Sequence, residues 1–256
     1  MNINKIGSIQ IDLLKKSKNF LTLQKSEGFD VSCHPSCYLT SWSKEYGNFV
    51  LKSLNEKTIN IYKIYFNLKE IYKQYKFAEI KIYQKNSLKK NFNKIVVTGC
   101  LPDDFKKKGH YHDRYFSMKA KDNKDTLWIV ICHDANMKIP EKFDNNIIVI
   151  KNKSDHIINF FFKIKKNSKI KLNFELIKEY SFEIKLTNFV VNLFSVYPIK
   201  QLVLPYECQP FQNLLFKETK KFYPKISTIG YMHSMLTPFP SDFIKREGAP
   251  DKVLVH

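Results

Sequence analysis

Six short apolar runs, crowded into the last two thirds of the 256-residue chain, constrain its fold more than any other feature. They are "KIVVTG" (94–99), "TLWIVIC" (126–132), "NIIVI" (146–150), "LVLPYE" (202–207), "KISTIGYMHS" (225–234) and "KVLVH" (252–256). A strand with one face in water alternates apolar and polar residues. Near-continuous runs rich in β-branched residues belong instead to strands covered on both faces, as in a parallel sheet flanked by helices. The intervals between them can hold those helices. "SKIKLNFELIKEYSFEI" and "KLTNFVVNLFSVY" precede the fourth run, and "PFQNLLFKETKKFYP" separates the fourth from the fifth. Pro210 suits a first helical turn and Pro224 marks a stop. Residues 202–234 therefore read as β-helix-β, the repeating unit of an open α/β fold.

The chain divides at about residue 90. Residues 1–90 form a mixed, partly helical region, either part of the same domain or an extension to it; residues 91–256 are the α/β domain. In the first region, "KTINIYKIYFNLKEIYKQYKF" spaces Ile61, Ile64, Tyr65, Leu68, Ile71, Tyr72 and Tyr75 at helical steps, an aromatic stripe suited to core packing. "AEIKIYQK" alternates like a short strand, and the lysine-rich stretch from Ser87 to Asn93 reads as a junction. The closing "GAPDKVLVH" reads as a turn and a strand with no helix to follow, the pattern expected of the front part of a longer protein.

The net charge of +19 suggests a polyanionic partner at first sight. Nearly all of it is Lys, however, and Arg occurs only at Arg114 and Arg246. Base-edge reading and bidentate phosphate gripping favour the planar guanidinium, so no specific nucleic-acid partner is expected. The lysines accompany an abundance of Asn, Ile, Phe and Tyr, as in proteins of low-GC genomes. Part of the excess can serve a peripheral contact with an anionic membrane. No apolar stretch approaches the roughly 20 residues of a membrane-spanning helix, and none near the start resembles a signal peptide. The expected location is cytoplasmic, including the inner face of the membrane.

Five cysteines are scattered along the chain. Cys100 and Cys132 close apolar runs, where a thiol behaves as a small hydrophobe. "CHPSC" at 33–37 lacks a second ligand pair at zinc-like spacing, so a loop with two thiols competes with a metal site. Nothing points to a disulfide framework, which fits a reducing compartment.

Two of the core runs end in polar side chains. "LVLPYE" delivers Tyr206 and Glu207, with Gln209 just beyond; "STIGYMHS" delivers His233 and Ser234. Ligands of open α/β sheets gather at the carboxyl ends of the strands, so the two tips are candidates for one crevice. A carboxylate and an imidazole there can act as general base or polarise a hydroxyl. The competing reading makes Glu207 a helix cap and His233 a turn histidine. In "GHYHDRYF" (109–116), Asp113 and Arg114 are either an ion pair fixing an aromatic turn or substrate contacts. His110, His112 and Asp113 also have the residue types of a metal site, though at a spacing common by chance. "CHDAN" (132–136) puts His133 and Asp134 at a strand exit, facing the crevice. No Gly-rich phosphate loop and no GxSxG elbow occurs, which argues against dehydrogenases, P-loop enzymes and α/β-hydrolases.

"LPYECQPFQNLLFKETKKFYPKISTIGYMHS" followed by "APDKVLVH" resembles a stretch of bacterial surface-carbohydrate biosynthesis proteins, the capsule and O-antigen type, with GT-B glycosyltransferase architecture. "LPDDF" and "DRYF" within 101–116 resemble an earlier segment of the same proteins. The likeness covers about 160 residues with gaps; Phe211 stands where Trp is usual, and Met232 where Gln is usual. It implies a Rossmann-like N-terminal, acceptor-binding half, with a second nucleotide-sugar domain beyond residue 256. It implies a metal-independent transferase with no cofactor beyond the nucleotide-sugar co-substrate, and a glycan or lipid-linked glycan as acceptor. The isolated chain is then expected to be inactive. Carried onto this sequence, the catalytic candidates are Glu207 and His233. The substrate-binding candidates are Tyr206, Gln209, Ser234, Asp113, Arg114 and His133. The alternative function is a non-catalytic basic α/β module that binds polyanionic glycan or nucleic acid through its lysines.

Overall fold

A computed structural model describes residues 79–84, 88, 91–105, 109–132, 134, 136–153, 182–207, 209–233 and 247–255. The helix expected over 57–77, the "CHPSC" loop, most of the "SKIKLNFELIKEYSFEI" segment, His133 and Ser234 lie outside them.

All six apolar runs enter one sheet. In chain order its strands are β1 (Glu79–Gln84), β2 (Lys94–Cys100), β5 (Thr126–Cys132), β6 (Ile147–Lys153), β7 (Gln201–Pro205), β8 (Ser227–Met232) and β9 (Lys252–Val255). A separate two-stranded ribbon is formed by β3 (His112–Asp113) and β4 (Met118–Lys119). The spatial order of the large sheet is β1-β6-β5-β2-β7-β8-β9. Every pairing in it is parallel except that of β1, which runs antiparallel along the edge of β6. The "AEIKIYQK" segment thus supplies an edge strand, and the sheet starts on the N-terminal side of the boundary expected at residue 90. Phe92, in the lysine-rich junction, is fully buried and packs edge-on against Tyr197.

Burial follows the expected pattern in the middle of the sheet and departs from it at one edge. Every residue of β5 is buried. β8 instead alternates buried and half-buried positions, and β9 is mostly exposed.

The sheet has two differently built faces. On one, Ile95, Val97, Leu127, Ile129, Ile148, Leu202 and Leu204 meet two helices, α1 (Phe182–Val196) and α2 (Pro210–Phe222). In α1, Phe182, Leu186, Val190 and Phe194 recur every fourth residue and form the buried stripe. The expected β-helix-β unit is present as β7-α2-β8. Pro210 takes the first helical position, the Gln212 side chain accepts the Gln209 backbone N–H at 2.9 Å, and the helix stops before Pro224. On the other face, Val96, Cys100, Trp128, Val130, Cys132, Ile147 and Val149 are covered by irregular chain bearing Tyr111, Ala120, Met137 and Phe143. Gly109 permits that covering: its φ is 77°, and a Cβ there would strike the Lys142 carbonyl oxygen.

Candidate functional site

Counting only the parallel strands, chain order maps onto spatial order as 3-2-1-4-5-6, with the reversal between β2 and β7. At that point the sheet splits. β2 and β7 pair through three residues only, Lys94 with Gln201, Ile95 with Leu202 and Val96 with Val203. Beyond Val96, β2 continues alongside β5 to Cys100, while β7 continues alongside β8 to Pro205. The divergence opens a crevice at the carboxyl ends of the strands, where ligands of such sheets collect. It has a volume of about 110 Å³. Val97 to Leu101 line one wall; Pro205, Glu207, Gln209, Phe211 and Gln212 line the other; Arg114, Tyr115 and His233 complete the rim.

The β7–β8 wall carries Glu207 and His233 in direct contact. His233 Nε2 lies 3.2 Å from Glu207 Oε1, and the Gln209 amide donates to Glu207 Oε2 at 2.8 Å. Gln212 fixes the backbone beneath them. Its Oε1 accepts the N–H groups of Glu207 (3.0 Å) and Gln209 (2.9 Å), and its amide donates to the Pro205 carbonyl at 2.6 Å. Capping of α2 therefore falls to Gln212, and the Glu207 carboxylate is left for Gln209 and His233. Glu207 is 36% exposed and His233 is 21% exposed, so the carboxylate is the more accessible of the two. With Nε2 engaged by Glu207, His233 Nδ1 is buried without a hydrogen-bond partner. The Tyr115 ring meets the imidazole edge-on at 4.4 Å. Burial, and next the Glu207 charge, push the Tyr115 phenol up from its ordinary pKa, keeping it a hydrogen-bond donor.

The local sequence explains why the β8 tip can approach so closely. A Cβ at Gly230 would lie 2.9 Å from side-chain atoms of both Tyr206 and Pro250. Met232, at the end of β8, is buried as a core side chain. Thr228 ties the strand to the turn before β9, its N–H and hydroxyl both donating to Asp251 Oδ2 at 2.9 and 2.8 Å.

The β2 wall is held by carboxylates of another kind. Asp104 accepts Arg114 Nε at 3.1 Å on Oδ1 and 3.2 Å on Oδ2, with Nη2 also on Oδ1, and caps the Leu101 N–H at 2.8 Å. The hydrogen bonds that Arg114 donates to Asp104 raise its pKa further, against the cost of desolvation. Asp113 is fully buried. It accepts the Thr98 hydroxyl (2.7 Å), the Tyr111 hydroxyl (2.9 Å) and the Phe116 N–H (2.8 Å).

The structure therefore brings Glu207, His233, Gln209 and Arg114 to one crevice. Two other candidates are turned away from it. Tyr206 is 1% exposed, packed on Phe216 with its hydroxyl directed to Asn213 at 3.3 Å. Asp113 is enclosed by the donors above, and Arg114 pairs with Asp104 rather than with Asp113. The reason is local: Asp113 closes β3 and turns inward to the Thr98, Tyr111 and Phe116 donors, whereas Arg114 opens the turn that follows and reaches Asp104. Asp134 is exposed and accepts the Asn136 N–H at 2.8 Å, away from the crevice lining. His110 bonds Asp144 at 2.8 Å and so diverges from Asp113. Among the described residues, no group of three His, Cys, Asp or Glu could hold a metal ion. None of their helices is long and apolar enough to cross a membrane.

Sequence reasoning missed Asp104, Tyr115 and Gln212. Asp104 stands in the "LPDDF" segment, ten residues before Arg114, one of two arginines in the chain, and that pairing of rare types was the available signal. Comparison with protein-family models, curated proteins and solved structures returned no significant match.

Proposed function

We propose that this chain is the acceptor-binding half of a metal-independent glycosyltransferase of bacterial surface-polysaccharide assembly, with Glu207 as general base. The observation that carries the reading is the Glu207 carboxylate, held between Gln209 and His233 at the point where the strand order reverses. The order 3-2-1-4-5-6 of the parallel strands is that of doubly wound, Rossmann-like sheets, and supports assigning the domain to that class.

Sugar transfer asks little of this wall. As the acceptor oxygen bonds to the anomeric carbon, its proton must leave and the bond to the leaving phosphate must break. Glu207 is exposed enough to meet a hydroxyl and is fixed on both oxygens, which supports its role as base. His233 and Gln209 position the carboxylate and spread its charge. Tyr115 and Phe211 offer rings against which a sugar face can rest.

Size supports the acceptor side. A pocket that encloses a drug-sized ligand measures roughly 300–1,000 Å³, and this crevice of about 110 Å³ holds one sugar edge. The nucleotide-sugar then belongs to a second domain facing it. Among the described residues of the lining, Arg114 is the only Lys or Arg side chain, and Asp104 already pairs with it. A groove for a polyanion would gather lysines; the described part of this lining, with one paired cation, favours a sugar over the alternative of a basic binding module.

The test is Glu207→Gln, which keeps shape and removes the basic carboxylate. In transfer assays with the donor domain present, turnover falls by roughly 100-fold or more while acceptor affinity holds. Unchanged turnover removes Glu207 as base. The chain by itself binds glycan acceptor and transfers no sugar; turnover by this chain alone with any nucleotide-sugar would overturn the division of labour.

A further inference from the structure

We propose that Cys100 and Cys132 are a redox-modification site, forming a reversible disulfide when the protein meets a small peroxide. The two residues are in-register neighbours at the carboxyl ends of β2 and β5 and lie on the same face of the sheet. Their Sγ atoms are 2.7 Å apart. Adjacent strands stand about 4.7–4.9 Å apart, within the range of roughly 4.4–6.8 Å between Cα atoms that a disulfide spans. The bond therefore needs no movement of the sheet. The proposal is independent of the sugar-transfer reading.

Two further features suit the pair to oxidation. Cys100 lines the crevice, which gives a small oxidant a way in, whereas Cys132 is fully enclosed. The site thus favours a peroxide over a bulky disulfide oxidant. The hydrogen bond from Cys100, opposed by burial and assisted by the Lys151 ammonium on the neighbouring strand, holds the Cys132 thiol below its ordinary pKa. Lys151 is itself anchored on the Met137 carbonyl.

The chemistry balances with the peroxide as oxidant. The thiolate of the pair attacks one peroxide oxygen, the O–O bond breaks, and the departing hydroxide takes up a proton to leave as water. The resulting sulfenic acid is attacked by the second sulfur; its S–O bond breaks, the S–S bond forms, and a second water leaves. Two thiols are oxidised and one peroxide is reduced. Because the second sulfur is already in contact, the sulfenic acid is captured before it can go on to the sulfinic state.

The test uses the reduced, folded chain. It is treated with hydrogen peroxide, unfolded with an alkylating agent present, digested without reductant and analysed by mass spectrometry. The expected product is a cross-linked peptide pair joining Cys100 to Cys132, short of two hydrogens and released by dithiothreitol. In Cys100→Ser, the cross-link vanishes and Cys132 is recovered as sulfinic acid or unoxidised thiol. Recovery of both cysteines as alkylated thiols, at peroxide doses that oxidise Cys33, Cys37 or Cys208, overturns the proposal. So does cross-linking of either one chiefly to those three. Because the decisive measurement is made on the unaltered protein, a folding defect in the variant leaves it intact.

Discussion

The two walls of the crevice use carboxylates in opposite ways. On the β2 side, Asp113 is sealed from solvent and surrounded by Thr98, Tyr111 and Phe116, and Asp104 is committed to Arg114 and the Leu101 N–H. On the β7–β8 side, Glu207 stands partly in water, with side chains on both oxygens but none of the fold resting on it. A buried carboxylate surrounded by donors is part of the architecture, because removing it strands those donors. An exposed one, oriented by neighbours, is free to bind and exchange a proton. The lesson is that residue type and crevice proximity do not assign a role; the fate of each oxygen does.

Substitutions can break this contrast, and the largest effect is expected at Asp113. Asp113→Ala removes the short acceptor of three donors, leaving Thr98 and Tyr111 only the Gly99 carbonyl at 3.4 and 3.5 Å, and should cost about 3–5 kcal/mol in chemical denaturation. A loss below 1 kcal/mol would abolish the distinction between the walls.

Next is Asp104→Ala, which releases a half-exposed guanidinium and one turn cap. A loss of about 1–2 kcal/mol is expected, discounted for the solvent around Arg114.

Alkaline pH probes the same wall. Burial, reinforced by the Asp113 charge, raises the Tyr111 phenol above its ordinary pKa of 10.0. A phenol raised in the folded state contributes stability that is complete below the unfolded value and lost as pH climbs past it. The contribution of this phenol should thus hold up to about pH 10, then fall by as much as about 1.4 kcal/mol per pH unit. Tyr111→Phe should flatten that slope, measured by urea titration at successive pH values, with Tyr115 leaving a shallower remainder. An unchanged slope in Tyr111→Phe would place the titration elsewhere.

The smallest effect is expected on the opposite wall. Glu207→Gln should alter stability by no more than about 0.5 kcal/mol, whatever it does to turnover. A larger loss in its thermal melt would make Glu207 architectural after all.

Much of the sheet was legible because its signal is local. The run "TLWIVIC" announces a strand covered on both faces, and Pro210 and Pro224 bracket α2 without reference to anything distant. Strand order was not legible, since nothing in "KIVVTG" says that it lies between β5 and β7. The site divided along the same line. Glu207 and His233 could be found because each ends a run whose neighbour in the sheet is fixed by a single crossover. Tyr115 at His233, or Arg114 at Asp104, depends on how the 101–119 segment folds back over the sheet, a matter of long-range packing. Asp113 was misleading because an acid in a polar cluster looks alike in sequence whether its oxygens face water or three donors.

The short seam between β2 and β7 has a mechanical consequence. A sheet zipped along its full length resists bending in its own plane, but this one is joined at mid-width through three residue pairs at one end only. Above the seam, the halves touch through rings borne by the chain between β3 and β4: Phe116 on Tyr231 at 5.1 Å, and Tyr115 on His233. Aromatic contacts slide at little cost where backbone ladders do not. The crevice is therefore shaped like a pair of tongs, joined at Lys94–Val96, with aromatic contacts across the jaws.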